Sequence, residues 1–157
     1  MKIEDSKLEG VLRVYNPNCR YLREAEVDFP KGKGVFRIPN PYYVDSTGHF
    51  NAVEMMICYN QLAYTMFARF GEEGKIPELG IIPFEKFLKW QLGNCFIVGM
   101  DKIKFRKPIN SSGDFSGEIE LHRVKRVGDL YIFKTTYDFD SGKAFGSVDL
   151  ALVTDRK

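Results

Sequence analysis

Apolar and polar positions alternate with different periods in different parts of the chain. Residues 1–10 are polar and acidic and read as a frayed start, and 11–15 as a short strand stopped at Asn16-Pro17. Residues 24–29 read as extended or irregular, 31–34 as a turn, and 35–38 as a short strand closed by Pro39 and Pro41. Residues 51–70 contain no proline or glycine, and Gly71 and Gly74 supply a stop. This pattern predicts a helix roughly 30 Å long. Val53, Met56, Ile57 and Phe67 fall on one stripe of it and Met55, Leu62 and Met66 on another, so the helix is expected to be buried on most sides. A short amphipathic helix is predicted at 84–92. From residue 94 the period becomes two. Ile97, Gly99, Asp101, Ile103 and Phe105 are expected on one strand face, with Lys102, Lys104 and Arg106 on the other. Strands at 115–121, 131–139 and 148–152 follow, separated by turns, as an antiparallel meander.

One or two strands, a long buried helix and a run of antiparallel strands make an α+β chain. Residues 1–157 read as a single domain in which the sheet curls around the helix, the layout of the hotdog fold. The alternative is another α+β sandwich with its helix on one open face. The chain has 157 residues, 44% hydrophobic and 28% charged, enough to bury a core without disulfides or a metal. The 23 Lys and Arg against 21 Asp and Glu leave +2, too balanced to imply nucleic-acid binding. Cys19, Cys58 and Cys95 form no CxxC pair, which points to a reducing cytoplasm. Residues 53–70 are interrupted by Glu54, Asn60, Gln61 and Arg69 and do not read as a membrane span. Two histidines without clustered Cys or Asp predict no metal site, and no cofactor motif is present. Ser46 lacks a Gly-x-Ser-x-Gly elbow, which argues against a serine hydrolase.

Residues 45–54, DSTGHFNAVE, open the predicted helix and carry the candidate chemistry. Gly48 lets the backbone approach a ligand. The first helix amides lack intrahelical acceptors and the dipole makes that end positive, so a carbonyl oxygen placed there is polarised. His49 is suited to proton exchange. Asn51 either caps the helix or hydrogen-bonds substrate. Glu54, three residues on and on the same face, either answers the dipole or acts as a base. Cys58 and Gln61 continue that stripe. Asn60 is either a satisfied buried amide or a substrate contact. Lys102, Lys104, Arg106 and Lys107, with Arg123, Lys125 and Arg126, read as a solvated sheet face or as a dock for CoA phosphates or an acidic carrier protein.

GHFN at 48–51 resembles the helix-opening motif of hotdog acyl-thioester enzymes. STGHFNAVEMMICYNQLAY at 46–64, CRYL at 19–22 and FRKPIN at 105–110 resemble, in order, segments of the FcoT-like fatty acyl thioesterases, over about residues 14–153. The resemblance implies a long acyl chain on CoA or acyl carrier protein (ACP), bound at a hotdog dimer interface by a homodimer or higher homo-oligomer, with the tail along the buried helix. It implies family positions at Tyr43, Asn51 and Asn60, an earlier tyrosine at Tyr15, and His49 and Glu54 where the family has them. His49, Glu54, Asn51 and Asn60 are thus the expected catalytic residues, and Tyr43, Tyr15, Gly48 and Cys58 the expected substrate contacts. Thioester hydrolysis is the leading expectation. Addition of glycine to a (2E)-enoyl-ACP, a step toward isonitrile lipopeptides, is the alternative, and a non-catalytic acyl-thioester binding protein is the second. Unlike the hotdog dehydratases, the loop after His49 has no proline-rich insert, and Asn60 or Gln61 stands near the position of their helical acid.

Overall fold

The computed structural model describes residues 1–45 and 47–154; Ser46 lies outside the described residues. The elements are α1 (Asp5–Leu12), β1 (Leu22–Asp28), β2 (Lys31–Phe36), α2 (Ala52–Glu72), α3 (Phe84–Gly93), β3 (Cys95–Phe105), β4 (Phe115–Val127), β5 (Leu130–Phe139) and β6 (Ala144–Val153). The strands form one antiparallel sheet in the order β1-β2-β4-β5-β6-β3. Its inner face wraps α2, giving the hotdog layout expected from the sequence.

Hydrophobic burial holds α2 in place. Met55, Tyr59, Leu62, Met66 and Phe70 are buried to 1% exposure or less. A large apolar side chain contributes about 1.5–3 kcal/mol when fully buried. The rings of Phe67 and Phe133 lie 4.7 Å apart, joining α2 to β5. The Tyr59 hydroxyl is matched to Thr135 Oγ1 at 2.7 Å, so this polar group enters the core with a partner. On the other side of α2, Gln91 of α3 donates to the Val11 carbonyl at 2.9 Å, tying α3 to α1.

The sheet fits the aromatic interior because glycines lie where rings cross it. A Cβ on Gly117 would stand 2.6 Å from Phe139 and 2.8 Å from Phe36, and one on Gly146 would stand 2.5 Å from the Tyr137 hydroxyl. Above them Phe50 packs 4.9 Å from Phe115 and 5.2 Å from Phe139. The phenylalanine of GHFN is therefore the anchor that pins the loop before α2 to the core.

Three expectations need correction. Residues 5–12 form α1, not a frayed start followed by a strand. Leu8, Val11 and Leu12 are spaced for one helix face, and their burial stabilises a helix too short to stand alone. Residues 31–34 are strand, not turn, because Gly32 lets β2 pass close to α2; its Cβ would lie 3.1 Å from Met66 Sδ. In β3, bulges between Ile97 and Gly99 and between Asp101 and Lys104 break the alternation. Asp101 and Lys104 pair with Ser147 and Phe145, two residues apart, and so share a face; Met100 and Phe105 pair with the buried Val148 and Ala144.

Overpacking at the ring-covered glycines is costly. Gly117→Ala is expected to lower stability by about 1–3 kcal/mol, read as a reduced urea midpoint with little change in slope.

Candidate active site

The site is built on the start of α2. Asn51 has extended backbone angles, and its side-chain oxygen accepts from the amides of Val53 at 2.9 Å and Glu54 at 3.1 Å. Glu54 Oε2 accepts from the Asn51 amide at 3.2 Å, completing a capping box. Tyr43 joins this network: Asn51 Nδ2 donates to the Tyr43 hydroxyl at 2.8 Å, and that hydroxyl donates to Glu54 Oε1 at 3.2 Å. Asn51, Glu54 and Tyr43 are thus brought together. Glu54 is only 2% exposed and lies beneath the cap. Burial raises its pKa, opposed by the hydrogen bonds from the Asn51 amide and Tyr43 and by the charge of His49. Burial also raises the pKa of the Tyr43 hydroxyl, while the hydrogen bond with Asn51 opposes this.

The cap changes which amides can meet a ligand. Val53 and Glu54 give theirs to Asn51, and among the described residues the Ala52 amide is the one in the first turn without an acceptor. Gly48 has φ +76, a left-handed conformation that favours glycine, while a Cβ there would meet open space. His49 is exposed, and its Nδ1 lies 3.0 Å from the Thr47 carbonyl. A carbonyl can only accept, so Nδ1 carries the hydrogen in this contact, and Nε2 is the ring nitrogen it leaves unengaged. His49, Phe50, Asn51 and Ala52 line one side of a groove of about 360 Å³, with Phe105, Arg106, Lys107 and Pro108 on the other.

The remaining expected residues lie elsewhere on α2. Asn60 is nine residues past Asn51, about 13 Å farther along the axis and on the opposite side of the helix. Its Oδ1 is buried and, among the described residues, has no hydrogen-bond partner. It shares a stripe with Met56 and Ile57, both half-buried, and with Val53, 53% exposed. Tyr15 packs beside Tyr64 and Cys58, and burial raises its hydroxyl pKa. Cys58 has no exposed surface, and its thiol is pushed well above the usual range by burial and by Glu54. The structure therefore does not bring Asn60, Tyr15 or Cys58 to the His49 groove of the same chain. The enclosed void beside α2 among Phe67, Leu79, Ile82, Phe87 and Phe133 holds about 10 Å³, barely one water, and so has no room for an acyl tail.

Gln61 has a larger role than its place on the Glu54–Cys58 stripe suggested. It is fully buried; its Oε1 accepts from the Tyr21 and Leu22 amides, each at 2.9 Å, and its Nε2 donates to the Cys19 carbonyl at 2.6 Å. One side chain thus holds the CRYL segment against α2 and brings Tyr21 near Cys58 and Glu54. The basic residues are split in two. Lys104 pairs with Phe145 near the groove, whereas Arg126 pairs with Tyr131, in the row that ends at Cys95.

The sheet-wrapped helix is that of the hotdog fold, and the chain is an acyl-thioester enzyme. The chain belongs to the FcoT-like thioesterase domain family, whose model matches residues 10–152. It is 35% identical over 162 residues to the (2E)-enoyl-[ACP] glycyltransferase of Streptomyces coeruleorubidus, covering 96% of this chain and 97% of that protein. It is 34% identical over 160 residues to the protein of the same name from Mycobacterium marinum, covering 95% and 86%. In fold it resembles a mutant of thioesterase PA1618 from Pseudomonas aeruginosa, with TM-score 0.58, 10% identity and coverage of 96% and 94%.

The raised pKa makes Glu54 a linkage probe. The folded protein holds this proton more tightly than the unfolded chain, so stability falls as pH rises through the window between the unfolded and folded values. Glu54→Gln keeps an acceptor for the Asn51 amide and removes the buried charge. Its stability at neutral pH is expected to equal or exceed wild type, and the difference should shrink on acidification, as read by urea unfolding across the acid range. Gln61→Leu leaves two buried amides and a carbonyl without their partner and is expected to cost at least about 2 kcal/mol in the same assay.

Proposed function

We propose that this protein adds glycine to a (2E)-enoyl thioester carried on an acyl carrier protein. Two relatives that align over nearly the whole chain carry the name of that reaction. The observation in this chain that carries the reading is the division of labour between His49 and Glu54. The imidazole lines the groove with Nδ1 engaged by the Thr47 carbonyl and Nε2 left to act, while both carboxyl oxygens of Glu54 are taken by the cap. The groove thus offers a base for an amine, with no carboxylate aimed at a water.

The thioester oxygen accepts from the Ala52 amide at the positive end of α2. His49 Nε2 takes a proton from the glycine ammonium, and the free amine attacks C3 of the enoyl group. The N–C3 bond forms as the C2–C3 π pair moves toward the carbonyl, giving an enolate whose charge falls on the oxygen at the helix start. The imidazolium then returns the proton to C2. One N–H has been added across one C=C, and no co-reactant is consumed.

The tail runs along the incompletely covered surface of Val53, Met56 and Ile57 and the Met100 and Phe105 side of β3. A second copy of the chain covers it in a homodimer, which is also what can carry Asn60 toward a groove. Hydrolysis of the same thioester is the second reading, favoured by the description of the family; it uses the same polarised carbonyl with water in place of the amine.

Incubation with a (2E)-enoyl-ACP and glycine, followed by intact-protein mass spectrometry, tests the choice. The expected product is an acyl-ACP heavier by one glycine. Free fatty acid and bare ACP, with no adduct, would replace this reading by hydrolysis. His49→Ala is expected to slow turnover by about 10²–10⁴ without lowering the thermal midpoint.

A further inference from the structure

FRKPIN, which starts on the last residue of β3, lies backbone to backbone against GHFN. The Phe50 amide donates to the Ile109 carbonyl at 2.9 Å, and the Arg106 and Lys107 amides donate to the Lys143 carbonyl at 2.7 and 3.3 Å. These bonds hold the segment at both ends and place Lys107 across the groove from His49 and Asn51.

The groove has the charge of an anion site. Among the described residues, no acidic side chain lines it. The Arg106 guanidinium stands 4.8 Å over the Phe145 ring, and Lys31, Lys134 and Lys143 have carboxylate partners. Lys107 is exposed and, among the described residues, forms no ion pair. Its ammonium, the positive end of α2 and the His49 ring therefore act together on whatever enters.

The thioester being activated is neutral, and the phosphate of a carrier's prosthetic arm is separated from its sulfur by the whole length of that arm. The small anion that must approach the reacting carbons is the carboxylate of the amino acid. Glycine carries it one carbon from the attacking nitrogen. The geometry points to Lys107 as the residue that binds the carboxylate of the glycine co-substrate by a charge-assisted hydrogen bond, which aims the amine at His49. This inference rests on the reading of the site as an amine-adding one. The carboxylate stays ionised throughout and forms no covalent bond.

Steady-state kinetics with an enoyl-ACP, varying glycine, test it on wild type, Lys107→Ala, Lys107→Arg and Lys107→Glu. Lys107→Ala is expected to raise KM for glycine about tenfold or more, with Lys107→Glu higher and Lys107→Arg near wild type; each tenfold step corresponds to about 1.4 kcal/mol. KM for the enoyl-ACP should stay within about twofold of wild type, because Lys107 is assigned to the amino acid and not to the carrier. Wild type should use glycinamide poorly, and Lys107→Ala should use glycine and glycinamide alike. Lys107 is overturned alone if wild type forms the adduct and KM for glycine is indifferent to these changes, if wild type accepts glycinamide as readily as glycine, or if the rise appears in KM for the carrier. If wild type releases free acid and never forms the adduct, the amine-adding reading fails and the inference falls with it.

Discussion

The capping of α2 by Asn51 is the interaction on which the site depends. Its side-chain oxygen takes two of the first-turn amides. That choice stabilises a buried 21-residue helix and decides which amide is left over. The same residue donates its Nδ2 to Tyr43 and its amide to Glu54, so the loop and the first turn are one hydrogen-bonded unit. His49 stands two residues before the cap, and its position follows from that unit and from Phe50 beside it, seated among Phe115 and Phe139.

The rest of the fold serves to hold that unit still. The aromatic cluster under the loop requires bare backbone at Gly117 and neighbouring crossings. Gln61 fastens the chain before β1 to α2 through three backbone groups. The pairing of FRKPIN with GHFN fixes the opposite wall of the groove. The three segments that resemble the family thus meet around the first three turns of one helix, although they are far apart in the chain.

Much of this was legible in the sequence. The proline- and glycine-free run before Gly71 marked α2 almost to its ends, and the two-residue period marked β4, β5 and β6. GHFN was legible because helix starts draw on few residue types. What was missed depends on distant partners. Residues 5–12 are too short and too polar to declare a helix until α2 and α3 supply a surface. Gly32 and Gly34 signal a turn locally and act as strand because Met66 of α2 crosses the first and the Leu22 and Phe36 side chains cover the second. The β3 bulges leave no mark in the alternation itself. Glu54 fitted both an acid that answers the helix dipole and a base, and its hydrogen bonds to Asn51 and Tyr43, invisible in the spacing, place it in the cap. Asn60 shared a helix with Asn51, yet a separation of nine residues turns it to the far side.

The filled interior has an evolutionary corollary. Exchanges at Val53, Met56, Met100 or Phe105 alter a margin that carries little of the folding load, whereas the ring-and-glycine interior tolerates few changes. That margin is therefore free to change in size and shape while the scaffold beneath it stays rigid, so surface chemistry and foldability are set by separate residues.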